Sequence, residues 1–431
     1  MIKKLNSKNK KFYKILNKFL ELRKNYINLR DSKVFKILDD IKKKGDLALL
    51  KYEKKFSNNK KIIVSNIEIK KCIKQLDQNV KKSIDLAFDR IVNYHSNQKF
   101  KNFHLKDNFQ NKFEYKYFPI EKVGIYVPGG TASYPSTVLM NAIPALLAKV
   151  KKIFMATPLI EGKLNPGVIY AAKKCKINKI YSIGGAQAIA ALAYGTTKVE
   201  KVNKIVGPGN RFVTAAKKEV FGDVGIDKIA GPSELTIVAD KYSNVEWIAS
   251  DLISQAEHDK YSQSILLSIN DDIIKKINFS IKKQLKLLPR KKIATYSLDK
   301  FGLFIKCSSL NEIGKIINVI APEHLMLNIK NYNYLKNKIF NAGSIFLGKY
   351  STEAFGDYLA GPNHVLPTNG TAKFSSGLSV YDFLKAISYT NLTKRGIEKL
   401  GPSVITLADF EGLKGHAKSV KIRIKKYRLS I

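Results

Sequence analysis

Four of the six histidines in this 431-residue chain lie beside other polar side chains that can bind a metal ion or transfer a proton. In the segment SQAEHD, Gln255 lies three residues before His258, and a helix would place both side chains on one face. Such a pair can hold a metal ion, hold a ligand, or face water. The other three clusters are Glu323 with His324, Asp357 with His364, and Glu411 with His416.

Zinc is commonly bound by the side chains that these clusters provide. His258, His416 and Asp357 can supply three zinc ligands, and the carbonyl oxygen of Gln255 is a less usual fourth. The sequence has no H-E-x-x-H motif, so a peptidase-type zinc helix is not predicted. Each histidine, taken alone, also fits a hydrogen-bonded structural role. Residue types and spacing leave both interpretations open.

The segment APEHL places a carboxylate directly before an imidazole. The imidazole of His324 can take a proton from an alcohol, and the carboxylate of Glu323 can activate water. Alternatively, Glu323 only favours the start of a helix after Pro322 through the helix dipole. The two remaining histidines, His95 and His104, lie among Lys, Asn and Phe residues and are expected on the surface.

Alternating strands and helices must position these side chains, and the alternation begins near residue 120. Four strand–turn–helix units follow one another over about a hundred residues, from VGIYVPGG to RFVTAAKKEVFG. They predict a parallel sheet covered by helices, in which the helix STVLMNAIPALLAKV has Ser136 as its N-cap. Apolar segments such as ELTIVAD and SQSILLSI continue after Gly231 and predict a second α/β domain.

The chain before residue 120 and the C-terminal part are predicted to be mostly helical. The N-terminus reads as an amphipathic helix with an apolar stripe of Phe12, Ile15, Leu16 and Phe19. The last residues, from PSVITLADF onward, are too few to fold alone. We therefore expect the two ends of the chain to depend on other parts of the protein.

The turn GPGNRF suits either a bound phosphate or an ordinary tight turn. Glycine turns after parallel strands bind phosphates through backbone N–H groups and a helix N-terminus. Gly207 and Gly209 fit the first half of G-x-G-x-x-G, but Phe212 takes the place of the third glycine. The dinucleotide fingerprint is incomplete, and turn geometry alone explains the same glycines.

The net charge of +41 suggests a nucleic-acid binder at first sight. The lysines occur in short runs in every segment, and Lys, Asn and Ile share A/T-rich codons, so base composition also explains the excess.

The three cysteines are too few and too far apart for a disulfide framework, and buried thiols are predicted at Cys72, Cys175 and Cys307. No apolar run approaches the roughly 20 residues of a membrane span, and a cytoplasmic protein is expected.

Several motifs, in this order along the chain, resemble the histidinol dehydrogenase family. They are VGIYVPGG, GGAQAIAALAYGT, KIVGPGNRFVTAAK, AGPSE, SDLISQAEHD, APEHL, AGSIFLG and EAFGDYLAGPNHVLPT, at about residues 120 to 420. The resemblance implies oxidation of L-histidinol to L-histidine, the last step of histidine biosynthesis, in two NAD-dependent hydride transfers through an enzyme-held aldehyde. It also implies one Zn²⁺ per subunit, which positions the substrate's imidazole and amine and does no redox chemistry.

The same resemblance assigns a role to each candidate side chain. The implied zinc ligands are Gln255, His258, Asp357 and His416. The implied proton-transfer residues are His324, as the base for the alcohol and the hydrated aldehyde, and Glu323, which activates water. The implied substrate contacts are Ser233, Glu411, His324 and the four zinc ligands. The implied NAD contacts are Tyr126, Gln187 and Asn210.

For the architecture, the resemblance implies two atypical Rossmann-like parallel-sheet domains with small helical terminal elements, in an intertwined homodimer. The predicted boundaries are residues 1–20 for an N-terminal helical segment that packs with helical residues 379–405, residues 21–125 and 239–378 for the first α/β domain, residues 126–238 for the second, and residues 406–431 for a small C-terminal domain that reaches the partner subunit. Glu411 and His416 would then complete the partner's active site.

Two other functions are compatible with parts of the sequence. A zinc-dependent hydrolase would use Glu323 to activate water and would work without NAD. A basic nucleic-acid-binding protein would bind with a steep dependence on salt and would be indifferent to zinc. The dehydrogenase alone accounts for the glycine turns, the APEHL segment and the four ligand candidates together, so L-histidinol is the expected partner, with no specific nucleic acid and no membrane.

Overall fold

The computed structural model describes residues 2–23, 31–129 and 134–424. It divides into two compact units, the first of Met1–Gln98 with Ile120–Phe383 and the second of Lys99–Pro119 with Leu384–Ile431.

The strands, in chain order, are β1 Lys3–Asn6, β2 Phe103–Lys106, β3 Lys112–Pro119, β4 Lys122–Tyr126, β5 Lys152–Ala156, β6 Lys179–Tyr181, β7 Lys204–Val206, β8 Gly225–Ile226, β9 Glu234–Ala239, β10 Gln263–Ser268, β11 Leu303–Lys306, β12 His324–Asn328, β13 Ser344–Leu347 and β14 Leu384–Asn391. The helices are α1 Phe12–Glu21, α2 Ser32–Ser57, α3 Asn66–Ile73, α4 Gln78–His95, α5 Pro135–Leu147, α6 Pro166–Lys174, α7 Gly185–Tyr194, α8 Arg211–Glu219, α9 Val245–His258, α10 Asp271–Leu285, α11 Lys291–Phe301, α12 Leu310–Ile320, α13 Tyr332–Lys336, α14 Glu353–Tyr358, α15 Lys394–Phe410 and α16 Lys414–Ile424.

A five-stranded parallel sheet in the first unit has the strand order β6-β5-β4-β7-β8. Its strands are short apolar runs, and the intervening helices return the chain so that the strands lie parallel. The predicted strand–turn–helix units are confirmed. The predicted N-cap of α5 is wrong, because the helix begins at Pro135 with Tyr134 as its N-cap and Ser136 lies inside the first turn. Proline suits the first turn, where its missing N–H has no partner to lose.

A six-stranded parallel sheet, also in the first unit, has the order β1-β11-β10-β9-β12-β13. The central strands β9, β10 and β12 are buried along their whole length, as expected for a parallel sheet covered on both faces. The predicted α/β class with parallel sheets is therefore confirmed. The alternative that a helix starts after Pro322 is wrong, since His324 is the first residue of β12.

The N-terminal residues are only partly helical. Lys3–Asn6 form β1, which pairs in parallel with β11, so a wholly helical N-terminus is wrong. Helix α1 is confirmed, and its buried face carries Phe12, Leu16, Phe19 and Leu20. Ile15 is 42% exposed, so the apolar stripe is narrower than predicted. Its edge position explains this, because residues at i, i+4, i+7 and i+8 share one face.

The second unit contains an antiparallel three-stranded sheet in the order β14-β3-β2, together with α15 and α16. The prediction of a helical segment over residues 379–405 is wrong for Leu384–Asn391, which form β14. Pairing explains the difference, since β14 matches all eight residues of β3 in register. Residues 99–119, predicted with the first α/β domain, supply the partner strands. The remaining domain boundaries and the intertwined dimer stay predictions.

Burial corrects one expectation about the histidines and confirms another. His95 is buried, with its Nδ1 2.9 Å from the Gln98 Oε1, so its predicted surface position is wrong. The same Gln98 oxygen accepts a bond from the Val380 N–H, which ties the end of α4 into the core. His104 is exposed, as expected.

All three cysteines are buried and free, as predicted. Among the described helices, none is long and apolar enough to cross a membrane.

Candidate functional site

A cavity of about 500 Å³ in the first unit gathers most of the predicted side chains. One wall consists of turns that follow strands of the five-stranded sheet, at Gly129 after β4 and at Gly207–Asn210 after β7. The other wall is built at the amino ends of strands in the six-stranded sheet, with Ser233 before β9 and His324 at the start of β12. The two parallel sheets therefore contribute opposite ends of their strands to one cavity.

The imidazole of His324 is held by the backbone of the neighbouring strand. His324 is 4% exposed, and its Nδ1 lies 3.2 Å from the carbonyl oxygen of Glu234. We assign the ring proton to Nδ1, because only a donor can bond to a carbonyl. Nε2 is then left with its lone pair and can accept a proton. The same peptide group fixes Glu323, because the N–H of Glu234 donates to the Glu323 carboxylate at 2.8 Å.

Burial sets the protonation of this pair. It lowers the pKa of His324 to about 4, against the attraction of Asp357 for the charged form. The imidazole is therefore neutral at pH 7, which is the form that a base requires. Burial raises the pKa of the Glu323 carboxyl well above its usual range, and the neighbouring Glu234 carboxylate adds to this effect. A carboxyl group with such a high proton affinity suits proton transfer to and from water.

Glu353 is a further acidic group beside the imidazole, and no role was predicted for it. Its Oε1 lies 3.3 Å from the His324 Nδ1, and its Oε2 has no partner among the described residues. Burial, followed by the charge of Asp357, raises the pKa of Glu353 well above its ordinary value. The spacing of Glu353 and Asp357, four residues apart on one helix, was a signal that both could face the same cavity.

Two of the predicted zinc ligands line the cavity, and a third lies one helical turn away. His258 ends α9 and Asp357 lies on α14, and both contribute to the cavity wall. Gln255, on α9, is fully buried, and neither its Nε2 nor its Oε1 has a hydrogen-bond partner among the described residues. An unpartnered buried amide is costly unless another group satisfies it.

Asp357 is also close to a histidine that received no role from the sequence. The His364 Nδ1 lies 3.0 Å from the Asp357 carbonyl oxygen and 3.9 Å from its carboxylate. Burial lowers the pKa of His364, so its ring is held neutral. Within residues 2–23, 31–129 and 134–424, no three or more His, Cys, Asp or Glu side chains already form a metal-binding group.

The fourth predicted ligand and one substrate contact lie in the second unit. His416 is on α16, and Glu411 is the C-cap residue of α15; both side chains are exposed. The structure thus assigns the predicted residues to two compact units, with Ser233, Gln255, His258, Glu323, His324 and Asp357 in the first.

The glycine turn after β7 is held in place by a buried ion pair. Gly207 has φ +113°, and a Cβ there would overlap the Tyr126 carbonyl oxygen. Its N–H donates to Asp227 at 2.9 Å, and its carbonyl accepts from the Nζ of Lys217 at 2.9 Å. Lys217 and Asp227 also bond to each other, and both side chains are almost fully buried. The incomplete fingerprint therefore marks a turn that needs glycine for a close backbone approach.

The three predicted NAD contacts occupy different environments. Asn210 caps α8, accepting from the N–H groups of Phe212 and Val213, and it lines the cavity. Tyr126 is buried, and its hydroxyl accepts the N–H of Gly185 at 3.0 Å. Gln187 is buried as well, and its amide donates to the Oε1 of Glu53 at 2.9 Å.

Glu53, for which no motif predicts a role, anchors the start of α7. Its Oε1 also accepts the N–H of Gly184 at 2.9 Å, so a carboxylate of the protein itself occupies this helix N-terminus. Burial raises the pKa of Glu53, and its hydrogen bonds oppose the shift. The turn after β6 is thus satisfied internally, while the turns after β4 and β7 face the cavity.

Comparison with known proteins identifies the family. A family profile described as histidinol dehydrogenase matches residues 22–424. The chain belongs to the histidinol dehydrogenase family. It is 61% identical over 427 residues to the histidinol dehydrogenase of Pelagibacter ubique (strain HTCC1062), covering 99% of this chain and 100% of that protein. It is 46% identical over 391 residues to histidinol dehydrogenase 1 of Nostoc sp. (strain PCC 7120), covering 90% and 91% of the two chains.

A solved structure agrees with this assignment. The crystal structure of histidinol dehydrogenase from Elizabethkingia anophelis matches with a TM-score of 0.90 and 38% sequence identity, covering 98% of each chain. Histidinol dehydrogenases catalyse the last step of histidine biosynthesis and depend on NAD. The resemblance drawn from the motifs is therefore confirmed, and the comparisons give no support to the hydrolase or the nucleic-acid binder.

Proposed function

We propose that this chain oxidises L-histidinol to L-histidine in two successive hydride transfers to NAD, through an aldehyde that stays on the enzyme. In the first, the alcohol loses a hydride to NAD and a proton to the protein, which gives the aldehyde. In the second, the aldehyde adds water, and the hydrate loses a second hydride and its protons to give the carboxylate. The observation that carries the proposal is a neutral imidazole beside a carboxyl group of high proton affinity in one cavity.

His324 and Glu323 divide the proton transfers between them. The Nε2 of His324 accepts the proton of the alcohol, and later that of the hydrate, because its Nδ1 is already committed to the Glu234 carbonyl. Glu323 takes the proton of the water that adds to the aldehyde. Its carboxylate stays within reach because the Glu234 N–H fixes one oxygen. Ser233 lies on the cavity wall next to this pair and is proposed to contact the substrate.

The residues present fit one zinc ion per subunit. Gln255 offers a buried carbonyl oxygen without a partner, and His258 and Asp357 offer a nitrogen and a carboxylate on the cavity wall. Mixed nitrogen and oxygen donors are those that zinc accepts. We propose these three as ligands with His416 as the fourth. When bound, zinc would hold the imidazole and amine of the substrate and so orient its alcohol carbon.

We further propose a homodimer in which Glu411 and His416 complete the partner's active site. Both side chains are exposed in the second unit, which leaves them free to serve another subunit. Apolar residues next to them, Leu407, Phe410 and Leu413, are 62%, 91% and 45% exposed. Exposed apolar groups of this size are typical of surfaces that pack against a partner.

NAD is proposed to bind over the turns after β4 and β7, where the cavity meets the five-stranded sheet. Asn210 would contact it from the start of α8. Tyr126 and Gln187 would contribute to NAD binding in one of two ways. They would support the start of α7 through their present hydrogen bonds, or they would contact NAD directly after those hydrogen bonds change. The cytoplasm is the proposed location, because the proposed reaction belongs to amino-acid biosynthesis.

The count of NADH per substrate tests the proposed reaction. The purified protein is incubated with limiting L-histidinol and excess NAD, and NADH is followed by its absorbance. We expect two NADH per histidinol and L-histidine as the product. One NADH with accumulated aldehyde would contradict the role of Glu323. No NADH from folded, zinc-supplied protein would overturn the proposed function.

A further inference from the structure

The backbone of Glu234, the first residue of β9, binds the side chains of both His324 and Glu323. Its N–H binds the Glu323 carboxylate, and its carbonyl binds the His324 ring. Glu234 is paired with Gln263 of β10 on one side, but on the β12 side it lies one position before the first pair, which joins Leu235 to His324. The position of both proton-transfer groups therefore depends on how firmly the end of one strand is fixed.

Arg23 fixes that strand end. Its Nη1 donates to the Oε2 of Glu234 at 2.8 Å, and both side chains are only 3% exposed. The second carboxylate oxygen of Glu234, Oε1, accepts the N–H of Asn369 at 2.6 Å. The carboxylate is thus held from two directions, by a cation and by a backbone amide, and the first peptide of β9 is held with it.

The same guanidinium also reaches the segment that leads into β12. The Nη2 of Arg23 donates to the carbonyl oxygen of Ile320 at 2.9 Å. Ile320 is the last residue of α12, three residues before Glu323. The guanidinium of Arg23 therefore joins Glu234, whose backbone binds both proton-transfer side chains, to the segment that carries those side chains. A planar fork with donors at fixed angles is suited to this, and an ammonium group is not.

The packing around Arg23 is adapted to its guanidinium. Gly370 has φ +74°, and a Cβ there would lie 2.7 Å from the Nη2 of Arg23. Burial raises the pKa of Glu234, and the charge of Arg23 is the largest influence that opposes this. Without Arg23, the pKa of Glu234 would rise further, and an unpaired buried acid would remain next to Glu323 and His324.

We propose that Arg23 is a positioning residue for the reaction, because it locks the Glu234 peptide against the α12–β12 segment and thereby aligns His324 and Glu323. Arg23 touches neither group itself. It lies two residues after the end of α1 and 300 residues before Glu323 in the sequence. The inference rests on the proposed function, since alignment matters only if these two groups transfer protons.

The test compares Arg23→Lys, Arg23→Met, Glu234→Gln and the double variant Arg23→Met/Glu234→Gln. The control is Lys18→Met, which removes an exposed cation from α1, the helix that precedes Arg23. Rates are measured with histidinol and, separately, with the aldehyde, and are divided by the folded fraction from circular dichroism. Arg23→Met should lower kcat for both substrates about 10-fold to 100-fold, the range expected for a misplaced reacting group. The KM for NAD should change less than about twofold, because the NAD turns belong to the other sheet.

The other variants separate alignment from stability. Arg23→Lys should lie between wild type and Arg23→Met, since it keeps the charge and loses the fork. Glu234→Gln should retain most of the kcat, because the side-chain amide oxygen of the glutamine still accepts a hydrogen bond from Arg23 or Asn369. The double variant should recover part of the rate by removing the unpaired acid. If Arg23→Met does not fold, Arg23→Lys carries the test through its ratio of kcat to folded fraction.

Wild-type kcat in folded Arg23→Met or Arg23→Lys would overturn the inference, as would a rate that falls only in proportion to the folded fraction. Failure of the wild-type protein itself to form NADH would overturn the proposed function instead. The two failures are therefore distinguishable.

Discussion

Gly207 and Gly222 share a φ of +113° but differ in what surrounds them. A Cβ on Gly207 would overlap the carbonyl oxygen of Tyr126, whereas a Cβ on Gly222 would meet no described atom within 4 Å. Both glycines satisfy a backbone conformation that other residues rarely adopt. Only Gly207 also allows the turn after β7 to lie close to the end of β4 at the cavity. Substitutions at the two glycines therefore distinguish the effect of backbone strain from the effect of a steric clash.

We predict that Gly207→Ala loses both stability and NAD binding, while Gly222→Ala loses stability alone. The strain at positive φ should cost about 1–2 kcal/mol at either position. At Gly207 the methyl group must also push the turn away from Tyr126, which moves the turn residues that line the cavity. Thermal unfolding and the Kd for NAD, measured by titration, check this. Equal NAD affinity in the two variants would show that the turn after β7 does not hold the cofactor.

The strand–turn–helix units could be predicted because each is a local pattern. β4, β5, β6 and β7 are apolar runs that end in turn residues, and the helices that follow have their own periodicity. β1 and β14 could not be predicted in the same way. Lys3–Asn6 and Leu384–Asn391 become strands because β11 and β3 offer edges for pairing, and that contact is invisible in a local window.

The candidate site was predictable only where residue type limits the choice. Six histidines made His324 and His258 easy to find, and the polar residues beside histidines indicated Gln255 and Asp357, to which the order of motifs then assigned roles. Glu353 was missed although its spacing from Asp357 places both on one helix. Glu234 was missed because an isolated glutamate gives no sign that it will be buried. Arg23 was missed for the same reason, and because its partner lies 211 residues away. Burial and long-range pairing create these roles, and both arise from the fold.

We predict that the His324 imidazole titrates near pH 4 in the zinc-free protein. Burial lowers its pKa to about 4, whereas an unfolded chain titrates a histidine near 6.5. The unfolded state therefore binds the proton first as pH falls, and stability is lost between about pH 6.5 and 4, by roughly 3 kcal/mol for this group. Above pH 6.5 the group contributes no dependence on pH.

Labelled histidine and NMR detect this titration, and the signal that disappears in His324→Asn assigns it. In His324→Asn, the free energy of unfolding should fall less on acidification, because the contribution of His324 is absent. A midpoint near 6.5 for the missing signal would show that the ring is open to water. His324→Asn should lower kcat by about 10²-fold to 10⁴-fold, the usual contribution of a general base.

Zinc removal should abolish activity, and Gln255→Ala should weaken zinc binding without a general loss of structure. Gln263 provides a matched control, since it is also a buried glutamine whose two amide atoms lack partners among the described residues. Gln263 begins β10 and does not line the cavity. Cutting either side chain back to alanine removes a similar buried volume.

We expect Gln255→Ala to raise the Kd for zinc about 10-fold or more, in the range seen when groups that support a metal site are removed. Gln263→Ala should leave it within about twofold. Bound zinc is measured by elemental analysis after equilibrium dialysis against graded chelator, and activity is followed as zinc is restored. Equal zinc affinity in both variants would remove Gln255 from the proposed ligand set and leave its buried amide to be satisfied by another group.

Mixed dimers provide the sharpest test of an active site completed by the partner's C-terminal segment. His324→Asn removes the base from the first unit, and His416→Asn removes the proposed zinc ligand from the second. Each homodimer should be nearly inactive. In a mixed dimer, one site would carry both substitutions and the other would carry neither, so about half of the wild-type activity per mixed dimer should return.

The mixed dimer is made by co-expression with two different affinity tags and purified on both. A second mixed dimer, of wild type with the double variant His324→Asn/His416→Asn, is the control. There each site would carry one of the two substitutions if His416 acts on the partner, so both sites should be impaired. If His416 acts within its own subunit, the outcome is reversed: the first dimer stays inactive and the control keeps half of the activity. Because the two arrangements predict opposite ranks for the same pair of samples, loss of stability alone cannot produce the expected result.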